Sequence, residues 1–418
     1  MLPLAISLTS LVLPALAARR FGAHVGAIAF GLWLAVTAGA LLLGAGLVDA
    51  FASVVDMRVL HAALYAAYAL LLLHLAALTR PRLRGPAFHA LVLVPGTMLS
   101  CAALIAIPFE LAARALAFAQ LARPLVIALE IAPLVIAASA LVTSLTPRVE
   151  HVAFALDDGA RPSKLARLPW HRAPSAPPRP EHALRLVQVA DPHLGGLVSL
   201  DALRSMIARL VRHDPDLVLL TGDLLAAEGM FTEGALAEAL APLAALEGRC
   251  FAALGNHDLD ALAEVERALA AARVTLLVNA AADVETRLGT VRVIGVDHVA
   301  PKSAERAPRL KELLARTTPT DGRPVILLLH DPSRVHDVPD DAQMLVLSGH
   351  VHGGQLGLLS LGTGLTILAG SKFPDFGLWG RGALRLYAHR GTGTFGFPLR
   401  IGVPGEESVL DVGIHRTT

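Results

Sequence analysis

The sequence has little charge and almost no cysteine. Charged residues make up 17% of its 418 residues and hydrophobic residues 54%, whereas an average soluble domain is roughly 25% charged. A disordered chain needs low hydrophobicity and high charge, so disorder is excluded and a wholly soluble protein is not expected. Two cysteines, Cys101 and Cys250, exclude a disulfide framework.

The chain also lacks the basic surplus that is typical of nucleic-acid binding. Its formal net charge is +1, but the charge is unevenly distributed. Residues 1–148 contain nine arginines and four acids, a balance of +5, and the rest contains 27 basic and 31 acidic residues, a balance of −4. Because the second part is mildly acidic, we expect no nucleic-acid binding.

The first third of the chain contains five apolar runs with almost no charge, at about residues 3–18, 25–48, 59–79, 88–108 and 125–145. A helix needs about 20 apolar residues to cross a bilayer, and all runs but the first have that length. No positive side chain precedes the first run, so we interpret it as a retained helix rather than a cleaved signal peptide. Residues 1–148 are therefore predicted to form an α-helical membrane domain of about five spans.

The loops between these runs differ in charge, and arginine-rich short loops face the cytoplasm. Loops one and three are arginine-rich, with Arg19, Arg20, Arg80, Arg82 and Arg84. Acids occur in loop two and in loop four, where we place Glu110. With five spans the C-terminal part lies in the cytoplasm, whereas four or six spans would place it outside.

Residues 149–183 are predicted to be a connector, because the stretch from Arg161 to Pro180 is rich in proline and arginine, which favours extended chain over helix. From residue 184 to 418, short apolar runs alternate with helical patterns and a strand-rich tail follows. This order predicts sheets covered by helices, an α/β domain.

Five strand-like runs of this α/β domain end in polar residues of metal-binding type, namely Asp191 and His193, Asp223, Asn256 and His257, His330, and His350 and His352. Ligands bind beyond the carboxyl ends of strands in α/β sheets, so these ends could converge. The set is too large for one ion, and oxygen and imidazole donors without thiolate suit Mn, Fe, Zn, Co or Ni rather than Ca. Two ions bridged by a carboxylate make a hydrolytic site.

The order Asp-x-His, Gly-Asp, Gly-Asn-His-Asp, His and Gly-His-x-His resembles the calcineurin-like metallophosphoesterase superfamily over about residues 184–415. Two stretches, Gly349 to Gln355 and Tyr387 to Gly405, resemble its membrane-associated bacterial branch. That branch includes manganese-type phosphodiesterases and enzymes that cleave the pyrophosphate of UDP-diacylglucosamine. The resemblance implies a layered α/β/β/α sandwich and a metal-dependent phosphoric ester hydrolase with two divalent ions. Manganese is the metal that the resemblance favours.

The resemblance also implies a role for each matched residue. The first metal would be held by Asp191, His193 and His352, the second by Asn256, His330 and His350, and Asp223 would bridge the two. His257 would protonate the leaving group or bind a phosphoryl oxygen, and Asp258 would orient its ring. Many relatives carry an orienting carboxylate three residues after the bridging aspartate, where this chain has Ala226.

Two arginines of the C-terminal stretch, Arg390 and Arg400, are candidates for binding substrate phosphate, since a guanidinium can bind it through two hydrogen bonds. Ion pairing on a sheet edge is the alternative. Apolar residues that follow the last ligands are candidates for an acyl groove, with ordinary core packing as the alternative: Leu358, Leu359, Phe373, Phe376, Leu378 and Trp379.

Three functions are compatible with the sequence. The first is a multi-pass enzyme of the bacterial inner membrane whose cytoplasmic domain hydrolyses a lipid-linked phosphodiester or pyrophosphate, such as UDP-diacylglucosamine. The second is a phosphatase or phosphodiesterase for a soluble nucleotide or phosphoprotein, anchored by its helices. The third is a membrane sensor or transporter with a regulatory hydrolase domain, which paired intramembrane charges would favour; only Glu130 is predicted deep in a span. Oligomeric state is not indicated.

Overall fold

A computed structural model describes residues 23–120, 123–156, 162–173, 181–298, 304–339 and 342–414. The chain divides into two compact units. The helical unit comprises Met1–Leu145 with Gly396–Ile401, and the sheet unit comprises Thr146–Phe395 with Gly402–Thr418.

The helical unit contains four helices, within its described residues, that are long and apolar enough to cross a membrane: α1 Ala23–Phe51, α2 Met57–Leu78, α3 Pro86–Phe118 and α4 Arg123–Leu145. Their most apolar stretches have mean hydropathies of 1.8 to 2.5. Four of the about five expected spans therefore have a matching helix within the described residues. The remaining predicted span, residues 3–18, lies outside the described residues.

Helix α3 is longer than the apolar run that predicts it. The run ends at residue 108, which led to Glu110 being placed in a loop, but the helix continues through Pro108 to Phe118. Proline is tolerated in membrane helices because neighbouring groups satisfy the freed backbone. Glu110 is therefore a helical residue, 1% exposed, and Glu130 of α4 is 7% exposed. The helical unit buries two acids rather than one.

The sheet unit alternates strands and helices. Its helices are α5 Leu200–Val211, α6 Ala227–Met230, α7 Ala235–Leu240, α8 Leu262–Ala271 and α9 Arg306–Thr317. Its strands are β1 Arg148–Ala155, β2 Ala166–Arg167, β3 His171–Ala173, β4 Ala183–Val189, β5 Leu217–Leu220, β6 Cys250–Ala252, β7 Thr275–Leu276, β8 Ala280–Thr286, β9 Gly289–Gly295, β10 Val325–Leu328, β11 Leu345–Ser348, β12 Gly377–Arg381, β13 Leu384–Ala388 and β14 Glu406–Gly413.

These strands form two seven-stranded sheets, with orders β3-β1-β14-β4-β5-β6-β7 and β2-β12-β13-β11-β10-β9-β8. Leu219 of the first sheet and Leu347 of the second belong to one buried apolar cluster, so the sheets pack face to face. Helix α9 covers the second sheet through Leu310 and Leu314, and α5 contacts β14 of the first. The α/β architecture expected from the alternating pattern is confirmed.

The stretch predicted as a connector contributes strands to both sheets. Strand β1 pairs in parallel with β14, and the short strands β2 and β3 lie at the outer edges of the two sheets. Edge strands tolerate nearby prolines because one side of the strand needs no ladder hydrogen bonds. The sheet unit therefore begins at Thr146, not after residue 183.

Candidate metal centre

The carboxyl ends of five strands carry the candidate ligands. Strands β4, β5 and β6 are parallel neighbours in the first sheet, and β10 and β11 are parallel neighbours in the second. Parallel neighbours end at the same edge of a sheet. The polar residues that follow these strands are consequently brought together.

The structure groups six of the predicted ligands into two clusters: Asp191, His193 and His352, and Asp223, His330 and His350. Within each cluster, one potential ligand atom from each residue lies within 4.8 Å of the others. The Asp223 carboxylate reaches both, because one of its oxygens lies 3.2 Å from Nε2 of His330 and 3.9 Å from Nε2 of His193. The Asn256 side-chain oxygen lies 3.3 Å from Nε2 of His330, beside the second cluster.

Five of the ligand residues have backbones in the left-handed region: Asp191, His193, Asp223, His350 and His352, with φ between 45° and 69°. Non-glycine residues seldom adopt this conformation, which costs about 1–3 kcal/mol each and persists where surrounding structure enforces it. The concentration of such residues here marks the cluster as a functional site.

Two glycines make room for the carboxylates. A Cβ on Gly255 would lie 2.2 Å from Oδ1 of Asp223, and a Cβ on Gly349 would lie 2.3 Å from Oδ2 of Asp191. The peptide N–H groups beside them are donors to these carboxylates. His257 donates its N–H to Asp223 at 2.8 Å, and His350 donates its N–H to Asp191 at 2.9 Å. The turn that contains His257 thus orients the Asp223 carboxylate, and the turn that contains His350 orients the Asp191 carboxylate.

The ionisation of the cluster suits a cation. Burial lowers the pKa values of His193 and His350 to about 4, so both rings are neutral at pH 7 and offer a lone pair. Burial opposes charge on His330, yet the Asp223 carboxylate raises its pKa to about 10. Nδ1 of His330 lies 2.6 Å from the Thr221 carbonyl, which directs Nε2 toward the cluster.

The affinity of this site for a positive charge, together with its oxygen and imidazole donors, fits divalent transition-metal ions. Asp191, His193 and His352 would hold one ion, and His330, His350 and Asn256 the other, with Asp223 shared between them.

His257 lies at the rim of the first cluster. Its ring is partly exposed and its centroid is 5.4 Å from that of His193. A carboxylate oxygen of Asp260 lies 3.8 Å from Nδ1 of His257. This placement is compatible with proton donation to a leaving group.

Asp258 does not have the place predicted for it. It is fully buried, and its two oxygens accept the backbone N–H groups of Gly255, Asp223 and Leu224, each at 2.8 Å. A carboxylate bound to three amides of neighbouring turns holds the backbone of the site together. Asp258 is therefore a positioning residue for Asp223. The carboxylate that lies near the ring of His257 is that of Asp260.

The two candidate phosphate-binding arginines are buried. Arg390 is 2% exposed, donates to Glu150 at 2.6 Å and to the Pro404 carbonyl, and pairs with Glu406 at 3.3 Å. Arg400 is fully buried, and its backbone N–H donates to the Ser144 hydroxyl. Assignment of Arg390 and Arg400 to substrate phosphate is therefore wrong, and for Arg390 the ion-pair alternative holds.

Replacing Arg390 by methionine is expected to destabilise the sheet unit by about 3–5 kcal/mol, because Glu150 and Glu406 would remain buried without their cation. The KM for a phosphodiester should stay within about twofold, since Arg390 does not reach substrate. Thermal unfolding and steady-state kinetics of the full chain test this. The matched control is Arg204→Met, whose exposed pair with Glu238 should contribute under about 1 kcal/mol. A large rise in KM for Arg390→Met at unchanged stability would contradict the assignment.

Two rings that sequence reasoning passed over lie at the site. The ring centroid of His298 is 6.2 Å from that of His330, and the centroid of Phe395 is 4.0 Å from that of His257. His298 follows strand β9, the position at which the other ligands follow their strands, so the strand-end pattern could have included it. Phe395 carries no polar group, so no sequence motif indicated that it lies at the site.

Comparison with known proteins agrees with this geometry. Residues 184–354 match the family model described as calcineurin-like phosphoesterase. Phosphodiesterase YaeI of Escherichia coli is 27% identical over 232 residues, which cover 54% of this chain and 82% of that protein. A transmembrane protein with metallophosphoesterase domain from Danio rerio is 31% identical over 267 residues, 59% of this chain and 57% of that protein.

A relative with a named lipid substrate is more distant. UDP-2,3-diacylglucosamine pyrophosphatase LpxG of Chlamydia trachomatis is 26% identical over 223 residues, which cover 42% of this chain and 66% of that protein. These matches cover between 42% and 59% of this chain and leave part of each relative unmatched.

Proposed function

We propose that the chain as a whole is a membrane-anchored phosphodiesterase or pyrophosphohydrolase acting on a lipid-linked substrate at the membrane surface, with its hydrolase domain built around residues 184–354, which match the calcineurin-like phosphoesterase model. The observation that carries the hydrolytic assignment is the position of Asp223, whose carboxylate reaches both ligand clusters. Two divalent ions, manganese by preference, would supply Lewis acidity toward the phosphoryl oxygens and activation of water at neutral pH.

The residues of the chain have separate tasks in this reaction. Asp223 holds the two halves of the site in register, and Asp258 fixes the backbone of Asp223. His257 donates a ring proton to the oxygen that leaves phosphorus, and Asp260 stabilises the protonated ring through Nδ1. The neutral rings of His193 and His350 add no charge that would repel the ions.

His257→Ala is expected to lower kcat by about 10²-fold for esters with poorly acidic leaving groups, because these need protonation, and far less for p-nitrophenyl esters. The measurement is the dependence of log kcat/KM on leaving-group pKa in a series of aryl phosphodiesters, which should be steeper in the variant. His336→Ala, at a solvent-facing histidine, is the control. An equal loss for every ester would assign His257 to phosphoryl binding instead.

A lipid substrate is supported by the four apolar helices and by an exposed apolar patch in the sheet unit. Leu358, Leu361, Leu365 and Ile367 are 46% to 75% exposed over ten residues. Exposed apolar clusters of this kind mark contact surfaces. Leu359, Phe376 and Leu378 of the predicted acyl groove, in contrast, are buried. Only Leu358 of that prediction belongs to the patch, which begins three residues after Gln355.

The substrate is tested with purified full chain in mixed micelles. UDP-diacylglucosamine should be hydrolysed with a higher kcat/KM than UDP-glucose or a dinucleoside polyphosphate, and the product should be a lipid monophosphate with UMP. Changing Leu361 and Ile367 to serine should raise the KM for the lipid and leave p-nitrophenyl ester hydrolysis unchanged. Preference for the soluble nucleotides would support the anchored soluble-substrate alternative.

The side of the membrane on which the sheet unit lies is inferred from the order of the helices and charged loops along the chain. Helices α3 and α4 lie between the loop that contains Arg80, Arg82 and Arg84 and the start of the sheet unit. Two spans return the chain to the same side, so the positive-inside rule favours a cytoplasmic sheet unit whatever residues 3–18 do. Counted from this loop, the side of the sheet unit does not depend on the total number of spans, in contrast to the expectation from the sequence. The location that we propose is the bacterial inner membrane. A C-terminal fluorescent-protein fusion should fluoresce and an alkaline-phosphatase fusion should be inactive; the reverse result would contradict this topology.

A second function of the helical unit has one observation in its favour. Glu110 and Glu130 are both buried, on the neighbouring helices α3 and α4. Buried acids on neighbouring helices of a membrane domain are typical of proton or ion sites. Glu110→Gln should abolish modification by dicyclohexylcarbodiimide, which reacts with protonated carboxyls in apolar surroundings, while Asp56→Asn at the start of α2 should not.

A further inference from the structure

We infer that Phe395 forms the wall of the site on which a planar, aromatic leaving group stacks, and that Gln355 is the positioning residue that holds Phe395 there. The inference rests on the proposed phosphodiester hydrolysis and narrows its substrate class to esters whose leaving group carries an aromatic ring or nucleobase.

The ring of Phe395 lies directly beside the proton donor. Its centroid is 4.0 Å from that of His257 and 5.1 Å from that of His193, and its plane is inclined by only 21° to the ring of His193. A leaving group that receives a proton from His257 must therefore pass next to this ring. Phe395 remains 48% exposed, so part of the ring is accessible to a ligand.

Gln355 fixes the backbone of Phe395 with two hydrogen bonds. Its amide nitrogen donates to the Phe395 carbonyl at 2.7 Å, and its amide oxygen accepts the Phe395 N–H at 3.0 Å. Gln355 is itself buried, and it follows the ligand His352 by three residues. Gly353, Gly354 and Gln355 all have positive φ values, between 57° and 74°. The two glycines permit this left-handed turn, which aims the Gln355 amide at Phe395.

The segment that carries Phe395 is also tied to the first ligand turn. Thr392 donates its N–H to the Ala190 carbonyl and Gly393 donates its N–H to the Asp191 carbonyl, at 3.0 and 2.9 Å. A Cβ on Gly393 would lie 2.3 Å from the Pro192 carbonyl oxygen. Phe395 is thus fixed from both sides of the first cluster, which is what a preformed binding wall requires and a mobile lid does not.

An aromatic ligand suits this wall better than an acyl chain. The exposed apolar patch that would contact acyl chains is a separate segment, residues 358–367, whereas Phe395 offers one flat ring beside the charged reaction centre. Planar groups stack on such rings, and stacking tolerates different bases because each has a flat π-face.

The test compares two methyl phosphodiesters whose leaving alcohols have similar acidity, phenol and hexafluoroisopropanol. Phe395→Ala should lower kcat/KM about 10-fold for the phenyl ester, mainly through KM, and less than threefold for the aliphatic ester. Phe395→Trp should retain the preference for the phenyl ester and Phe395→Leu should not. Phe231→Ala, at an equally exposed phenylalanine, is the control and should change neither value.

The role of Gln355 is tested in the same assay. Gln355→Ala should reproduce the selective loss, and the double variant with Phe395→Ala should lose no more than either single variant. Gln355→Glu can accept from the Phe395 N–H but lacks the amide donor. This variant should show a smaller decrease in kcat/KM for the phenyl ester than Gln355→Ala. Equal losses for both esters, or full rescue by Phe395→Leu, would overturn the stacking role. If the wild-type chain hydrolyses neither ester with any metal, the proposed function fails instead.

Discussion

Replacing Asp223 by alanine is expected to lower kcat/KM for a phosphodiester by at least about 10³-fold. The carboxylate is the group that reaches both clusters, at 3.2 Å from His330 and 3.9 Å from His193. Its loss removes the shared ligand and the charge that makes the site favourable for cations, so the stabilisation that two ions give to the phosphoryl transition state is lost. The number of ions bound per chain should fall from two to one or none.

Matched variants separate this effect from misfolding. Asp223→Asn keeps a side-chain oxygen but removes its charge, and it should retain the fold while losing most activity. Asp283→Ala, at a strand carboxylate that pairs with Arg292 away from the ligands, should keep both activity and metal. A loss smaller than tenfold in Asp223→Ala would show that the two clusters do not act through a shared carboxylate.

Asp258→Ala is expected to destabilise the sheet unit by about 3–5 kcal/mol. Three buried N–H groups would lose their acceptor together, and each unsatisfied donor costs about 1–3 kcal/mol. For a unit of this size the thermal midpoint should fall by roughly 10 °C. Activity at low temperature should fall as well, because the backbone of Asp223 loses its support.

The pH dependence distinguishes this role from orientation of His257. If Asp258 positions backbone, the variant that remains folded at low temperature keeps the wild-type pH profile of kcat/KM at a reduced height. If Asp258 oriented the His257 ring, the shape of the profile would change. Asp260→Ala, which removes the carboxylate 3.8 Å from Nδ1 of His257, should lower kcat with little change in stability.

The grouping of the candidate metal ligands was predictable because these residues follow regular structure. Each follows a short apolar run, and parallel strands end at one edge of a sheet, so the pattern predicts that Asp191 and Asp223 lie close together. His330 follows a strand of the second sheet, and the packing of the two sheets brings it to Asp223. The strands that carry them were found where the apolar runs lie. The apolar length rule likewise located the four described helices that are long enough to cross a membrane.

What sequence reasoning missed depends on contacts between distant residues. Arg390 looks like a phosphate ligand until its partner Glu150, 240 residues earlier, is seen beside it. Asp258 adjoins His257 in sequence, but the turn directs its carboxylate at backbone amides of Asp223 and Leu224. Phe395 acquires its place only from the amide of Gln355, which no local pattern indicates.

The most direct test of the two-ion phosphodiesterase is a metal titration of the purified, metal-stripped full chain in detergent. Bound ions per chain and hydrolysis of bis-p-nitrophenyl phosphate and p-nitrophenyl phosphate would be measured as Mn²⁺, Zn²⁺ or Mg²⁺ is added. We expect no activity without metal, diester cleavage that saturates at two ions per chain, and preference for the diester over the monoester. Activity without metal, saturation at one ion, or no turnover with two ions bound would contradict it.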